Sequence, residues 1–109
     1  MAEYKFVVFS KPAEGREDEY NRWYDERHVP DVVAIPGFTG AKRYRRVPAE
    51  GEQPAWNYLA IYDIESDDVS AAMAALMTRA GTDAMPISEA LGGAETHLFE
   101  AIPAVETVS

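Results

Sequence analysis

Hydrophobic and polar residues alternate along this chain with two different periods, and the switches between them mark out the elements. "EYKFVVFS" (3–10) is rich in β-branched and aromatic residues and is bounded by "KPAEG", which predicts a strand. Tyr4, Phe6 and Val8 lie on one face of it, and Val7 and Phe9 on the other. Over 16–28 the period lengthens. Tyr20, Trp23, Tyr24, Arg27 and His28 fall on the i, i+3, i+4, i+7, i+8 stripe of a helix, with Glu17, Asp18 and Glu19 in its first turn. Pro30 disfavours helical geometry at Val29, so this helix is expected to end or kink there. "PDVVAI" restarts as a short helix with Pro30 at its first position, and "PGF" (36–38) breaks it.

Period two returns in "FTGAKRYRRV" (38–47) and, after the loop 48–55, in "WNYLAIYDI" (56–64). The second of these puts Trp56, Tyr58, Ala60, Tyr62 and Ile64 on one face, and Asn57, Leu59, Ile61 and Asp63 on the other. Ser66 is the expected N-cap of a helix over 67–80, which Gly81 closes. Val69, Ala72, Met73, Leu76 and Met77 form its apolar stripe. Residues 81–93 read as irregular, and "AETHLFEAIPAV" (94–105) as the last strand. The order βαββαβ is the ferredoxin-like plan of the α+β class, a four-stranded antiparallel sheet with two helices on one face. It occupies residues 1–109 as a single domain. Both faces of the sheet are apolar and two helices cover one, so the other needs a cover. A second copy of the same sheet is the simplest, which predicts a homodimer whose sheets close an α/β barrel around a cavity. Trp56, Tyr58 and Tyr62 then face either the helices or that cavity.

Composition narrows the partners. At 47% hydrophobic residues and 11% aromatic, the chain is folded. A net charge of −9 argues against nucleic acid, and the one basic cluster, Lys42, Arg43, Arg45 and Arg46, reads as a solvated strand end. No apolar run is long enough for a membrane span, and "MAEYKFVVFS" lacks the features of a signal peptide, so the expected location is cytoplasmic. Cysteine is absent, and two isolated histidines, His28 and His97, predict no metal site.

The element order and "WYDERHVPDVVAIPGF" together resemble the dimeric α/β-barrel superfamily, and within it the EthD-like branch and its bacterial relatives. The signature is an aromatic-rich first helix ending in histidine and proline, then an apolar turn and "PG". Here it is Trp23-Tyr24-Asp25, His28-Val29-Pro30 and Pro36-Gly37-Phe38. The resemblance implies that His28 faces a cavity and moves a proton. It also implies that a haem-binding member would carry a histidine on the second helix. Residues 66–80 have none, so no cofactor is expected.

A histidine suits proton transfer because both of its forms are accessible near neutral pH. At a helix C-terminus, His28 would be pushed toward the protonated form by the helix dipole and toward the neutral form by burial. The same position would also let it simply cap the last carbonyls. Asp25, at i−3, is the candidate to orient the ring, and Tyr24, at i−4, a candidate donor. Trp23, Trp56, Tyr58 and Tyr62 are candidate walls for a substrate, each equally at home as core packing. His97 reads as an ordinary strand histidine. The function expected is a cofactor-independent isomerase, cyclase or dehydratase-type lyase moving a proton on a small apolar cyclic or aromatic metabolite. The alternatives are a cofactor-free monooxygenase on a phenol, and a binding or stress-associated protein without turnover.

Overall fold

The computed structural model describes residues 2–102; the end of the last predicted strand, 103–105, lies outside the described residues. Strands β1 (Ala2–Pro12), β2 (Phe38–Arg45), β3 (Tyr58–Ser66) and β4 (Leu91–Glu100) form one sheet in the order β2-β3-β1-β4, every pair antiparallel. This is the ferredoxin-like arrangement. Helix α1 (Glu17–Trp23) leads through one π turn (Tyr24–His28) into α2 (Val29–Val33), and α3 (Val69–Arg79) lies between β3 and β4 in the chain.

The core lies between the helices and one sheet face. Phe6, Val8, Tyr58, Ala60, Tyr62 and Ile64 point to it from β1 and β3. Tyr20, Tyr24, Val32 and Ile35 meet them from the first helical region, and Ala72 and Leu76 from α3. Trp56 and Asn57 precede β3 rather than open it. The expected cap of the second helix moves by two residues. Asp68 is the N-cap, accepting from the Ala71 amide at 3.1 Å, while Ser66 ends β3 and accepts from the Asp68 amide. An ionised carboxylate two residues further on is the better partner for the first-turn amides. Met77, expected in the apolar stripe, is 70% exposed, because α3 buries only the narrow row of Ala72 and Leu76.

Two local features set the site. Gly37, with φ +99, makes the turn into β2, a conformation open to glycine and few others. Just after it, the β2–β3 register slips between Phe38 and Gly40. Strict alternation from Phe38 would put Lys42 and Tyr44 on the helix side. The bulge instead turns Ala41 and Arg43 inward, opposite Tyr62 and Ala60.

Candidate functional site

The helix carrying the histidine does not end at Pro30: α1 passes through the π turn into α2, which holds the proline in its first turn. A proline inside an α-helix leaves a missing hydrogen bond and a ring crowding the carbonyl four residues back. The wider π turn just before it accommodates both, and the Val29 amide reaches back five residues to the Tyr24 carbonyl. Backbone φ and ψ stay helical from Trp23 through Ala34. His28 therefore sits inside a continuous helical run, and the expected C-terminal dipole does not act on it.

The π turn also decides what His28 touches. In such a turn, residues five apart share a face. Trp23 accordingly stacks on the imidazole, with ring centroids 4.6 Å apart and an interplanar angle of 24°. Tyr24 meets it edge-on at 5.3 Å and 88°. Burial pushes the His28 pKa down to about 4, with the Asp31 carboxylate pulling weakly the other way. At neutral pH the ring is an uncharged imidazole. Its Nδ1 is buried with no hydrogen-bond partner. The expected bond from Asp25 is not made. Asp25 accepts from Arg43 Nη1 at 2.8 Å, on the outside of the helix.

The tyrosines of the core bring phenols to the same interior. Tyr58 and Tyr62 face the helices, which settles the choice between helices and barrel cavity. The Tyr58 hydroxyl is bonded to Glu17 and accepts from Asn21 at the rim. Tyr20 bonds Ser10, and burial raises its pKa to about 12. Tyr24 is also raised by burial, with Ser10 and Arg43 opposing. The Tyr62 hydroxyl is buried without a partner, and burial holds its pKa well above the ordinary phenol range, with Tyr24 and Tyr20 close enough to add to the effect. Tyr24 thus neighbours both unpartnered atoms, and Phe6 and Phe38 pack on the Tyr62 ring.

The wall opposite the sheet is tied down. Trp23 Nε1 donates to the Pro86 carbonyl at 3.0 Å, and Arg27 Nη2 to the Asp83 carbonyl at 2.7 Å. These bonds strap residues 81–90 against the helix, with Met85 fully buried beneath. Trp56 does not join this group. It lines a cleft of 260 Å³ with Phe9, Tyr44 and Leu59 of the outer face and with Tyr58 from the helix side. His97 lies on that outer face too, bonded to Glu95 at 2.7 Å.

Arg43 is the residue that sequence reasoning missed. It was grouped with a solvated basic cluster, yet its side chain is only 16% exposed. The guanidinium lies over Tyr24 at 4.5 Å, with Tyr20 and Tyr58 each at 5.6 Å. Nη2 donates to Asn21 at 2.7 Å. The available signal was the glycine at position 40, next to the expected strand start, which marks a bulge.

Set against known proteins, this geometry is a ferredoxin-like fold. No family model matches the chain, and comparison with curated proteins finds no match. Solved structures do match. An EthD family protein from Bacillus halodurans is 18% identical, over 94% of this chain and 100% of its own, with a TM-score of 0.63. The haem degrader MhuD of Mycobacterium tuberculosis, solved with two haems in its active site, is 25% identical over 94% and 98%, with a TM-score of 0.61. A dimeric ferredoxin-like protein of unknown function from Thermobifida fusca is 13% identical over 92% of each chain, with a TM-score of 0.52. These are likenesses of fold, and they agree with the EthD-like resemblance carried by residues 20–38. Among the described residues no helix is long and apolar enough to cross a membrane, and no cluster of three metal-ligating side chains occurs.

Proposed function

We propose that the protein is a homodimeric, cofactor-independent proton-transfer enzyme acting on a small apolar cyclic or aromatic metabolite, with His28 as its acid and base. One observation carries this reading. Among the described residues, His28 Nδ1 and the Tyr62 hydroxyl are buried side-chain polar atoms with no hydrogen-bond partner. Buried polar groups are almost always bonded, and an orphan commonly signals a missing ligand or water. A neutral imidazole takes a proton from carbon, and the imidazolium formed in an apolar surrounding gives it back readily at another atom. Net transfer between two carbons, or loss of a leaving group, follows. Neutral phenols at Tyr24 and Tyr62 supply donors for the oxygen that becomes negative in between. Trp23 provides a flat wall. Asp25, committed to Arg43, has no part as an orienter.

The dimer is supported by the outer sheet face, where Val7, Phe9, Leu59 and Ile61 form a half-buried apolar strip. A second copy laid on it would close the barrel. Light scattering at micromolar concentration is expected to give twice the chain mass.

The site is tested first by NMR titration of the two imidazoles, with His97→Gln to assign them. His28 is expected to titrate near pH 4. Deuterium exchange at the α-carbon of a panel of cyclic ketones follows, and His28→Gln is expected to slow it about 10²-fold while the fold is kept. A His28 that titrates like a free peptide, or exchange that survives the substitution, overturns the assignment. Oxygen uptake in the same assay separates isomerisation from cofactor-free oxygenation of a phenol.

A further inference from the structure

Beyond the base, among the described residues a half-buried cation, Arg43, reaches in from the sheet, while exposed Arg45 meets the Tyr58 ring from the rim at 5.9 Å. Arg43 enters from the sheet opposite Ala60 and lays its guanidinium on Tyr24, with Tyr20 and Tyr58 at either side. Its recorded hydrogen bonds, to Asn21 and Asp25, use two of the five N–H groups a guanidinium carries. Its countercharge, Asp25, is 65% exposed and pairs with it at 2.8 Å on the outside of the helix. The other carboxylates of the helical region are also peripheral. Glu17, Asp18, Glu19 and Glu26 are exposed, and half-buried Asp31 is held by Arg27 at 2.7 Å. Facing inward there are neutral phenols, a neutral imidazole and this cation.

We infer that Arg43 is the specificity-determining residue of the site, and that it selects ligands bearing negative charge on an oxygen attached to a flat apolar ring, a phenolate or cyclic enolate. This rests on the reading of the His28 interior as a ligand site and adds to it the ionisation state that is bound. The physical ground is that a cation behind a layer of aromatic rings, away from bulk water, acts on the interior through a low dielectric. Tyr24 relays the effect, since a phenol polarised by the guanidinium on its ring face is a stronger donor. The aromatic rings accept the flat body of the ligand, and the Tyr24 and Tyr62 hydroxyls take the oxygen. A neutral alcohol gains only the donors, whereas the anion gains donors and charge together. Arg43 touches tyrosine rings rather than the reacting atoms, so its part is to position and polarise.

The test uses 4-nitrophenol, whose neutral and ionised forms absorb at different wavelengths. Its binding to the intact protein is followed by absorbance across pH, giving the pKa of the bound probe. In the native protein that pKa is expected to fall by about one unit or more below the free value, a tenfold preference for the phenolate. Arg43→Met is expected to abolish the shift. Asp25→Asn, which removes only the exposed countercharge, is expected to deepen it. His28→Gln is expected to leave it in place while slowing proton exchange about 10²-fold, so that failure of the base and failure of the anion preference are told apart. The inference is overturned if the probe does not bind at millimolar concentration or binds equally well in both forms. It is also overturned if the shift survives Arg43→Met, shrinks in Asp25→Asn, or disappears in His28→Gln. Far-UV circular dichroism checks each fold, and if Arg43→Met does not fold, the native protein and Asp25→Asn decide the matter.

Discussion

On β3, Tyr58, Ala60, Tyr62 and Ile64 point to the helices, while Leu59, Ile61 and Asp63 point the other way. On β1, Phe6, Val8 and Ser10 face Val7 and Phe9 across the same backbone. Both sides of this sheet carry apolar residues, and they differ in what they do with polar atoms. The inner side carries the phenols of Tyr20, Tyr24 and Tyr62 and the Ser10 hydroxyl into buried places, with Tyr58 and Arg43 reaching in from the rim, so the buried groups must find a partner in the protein or in a ligand. The outer side keeps its polar atoms in exposed pairs, Lys5–Asp63 and His97–Glu95, beside the apolar strip of Val7, Phe9, Leu59 and Ile61. An apolar strip asks only to be covered, and any complementary surface serves. An incompletely satisfied polar interior asks for one particular chemistry. On the function proposed above, the outer face would serve assembly and the inner one recognition.

The largest expected effect comes from deleting one isoleucine from each side. Ile64→Ala, deep in the inner core, is expected to cost about 2–5 kcal/mol in urea unfolding. Ile61→Ala is expected to cost clearly less within the chain but to weaken dimerisation about tenfold, read by sedimentation. Equal losses of stability with unchanged association would erase the distinction between the faces.

Next in size is a pH effect confined to the inner side. The unfolded chain binds a proton at His28 with the ordinary pKa of 6.5, while the folded chain does so only at about 4. Between those values the unfolded state holds more proton. This contribution to stability is therefore complete above pH 6.5 and is lost progressively as pH falls toward 4. It amounts to at most about 3 kcal/mol. His28→Gln removes this part of the acid dependence. Urea midpoints at pH 7 and pH 4.5 for both proteins measure the difference, and parallel curves would mean that the imidazole is not buried neutral.

The smallest effect distinguishes a satisfied phenol from an unsatisfied one. Tyr20→Phe leaves the Ser10 hydroxyl without its partner in a closed site and is expected to cost about 1–3 kcal/mol. Tyr62→Phe removes a hydroxyl that has no partner in the protein, and is expected to be neutral or slightly stabilising in thermal denaturation while weakening 4-nitrophenol binding. A large loss from Tyr62→Phe would mean that its hydroxyl is already satisfied, and would remove the main support for a ligand site.

Period and punctuation in the sequence were enough for the βαββαβ order, the antiparallel sheet and the two apolar faces, because each rests on local backbone preference and on which side chains avoid water. His28 and its aromatic neighbours were legible as a motif for the same reason: they lie within six positions of one another. Tertiary structure alone decided three things. The π turn rotated His28 onto Trp23 rather than toward Asp25, a choice made by fitting Pro30 into a continuous helix packed on the sheet. The bulge at Gly40 turned Arg43 inward, because a one-residue slip in register exchanges the two faces of a strand. Burial then set the charge state of the imidazole, overriding the helix-end argument, since desolvation depends on what the rest of the chain places around a group. Local pattern says which residues are available for chemistry, and only the packing of distant segments says which of them meet, and in which protonation state.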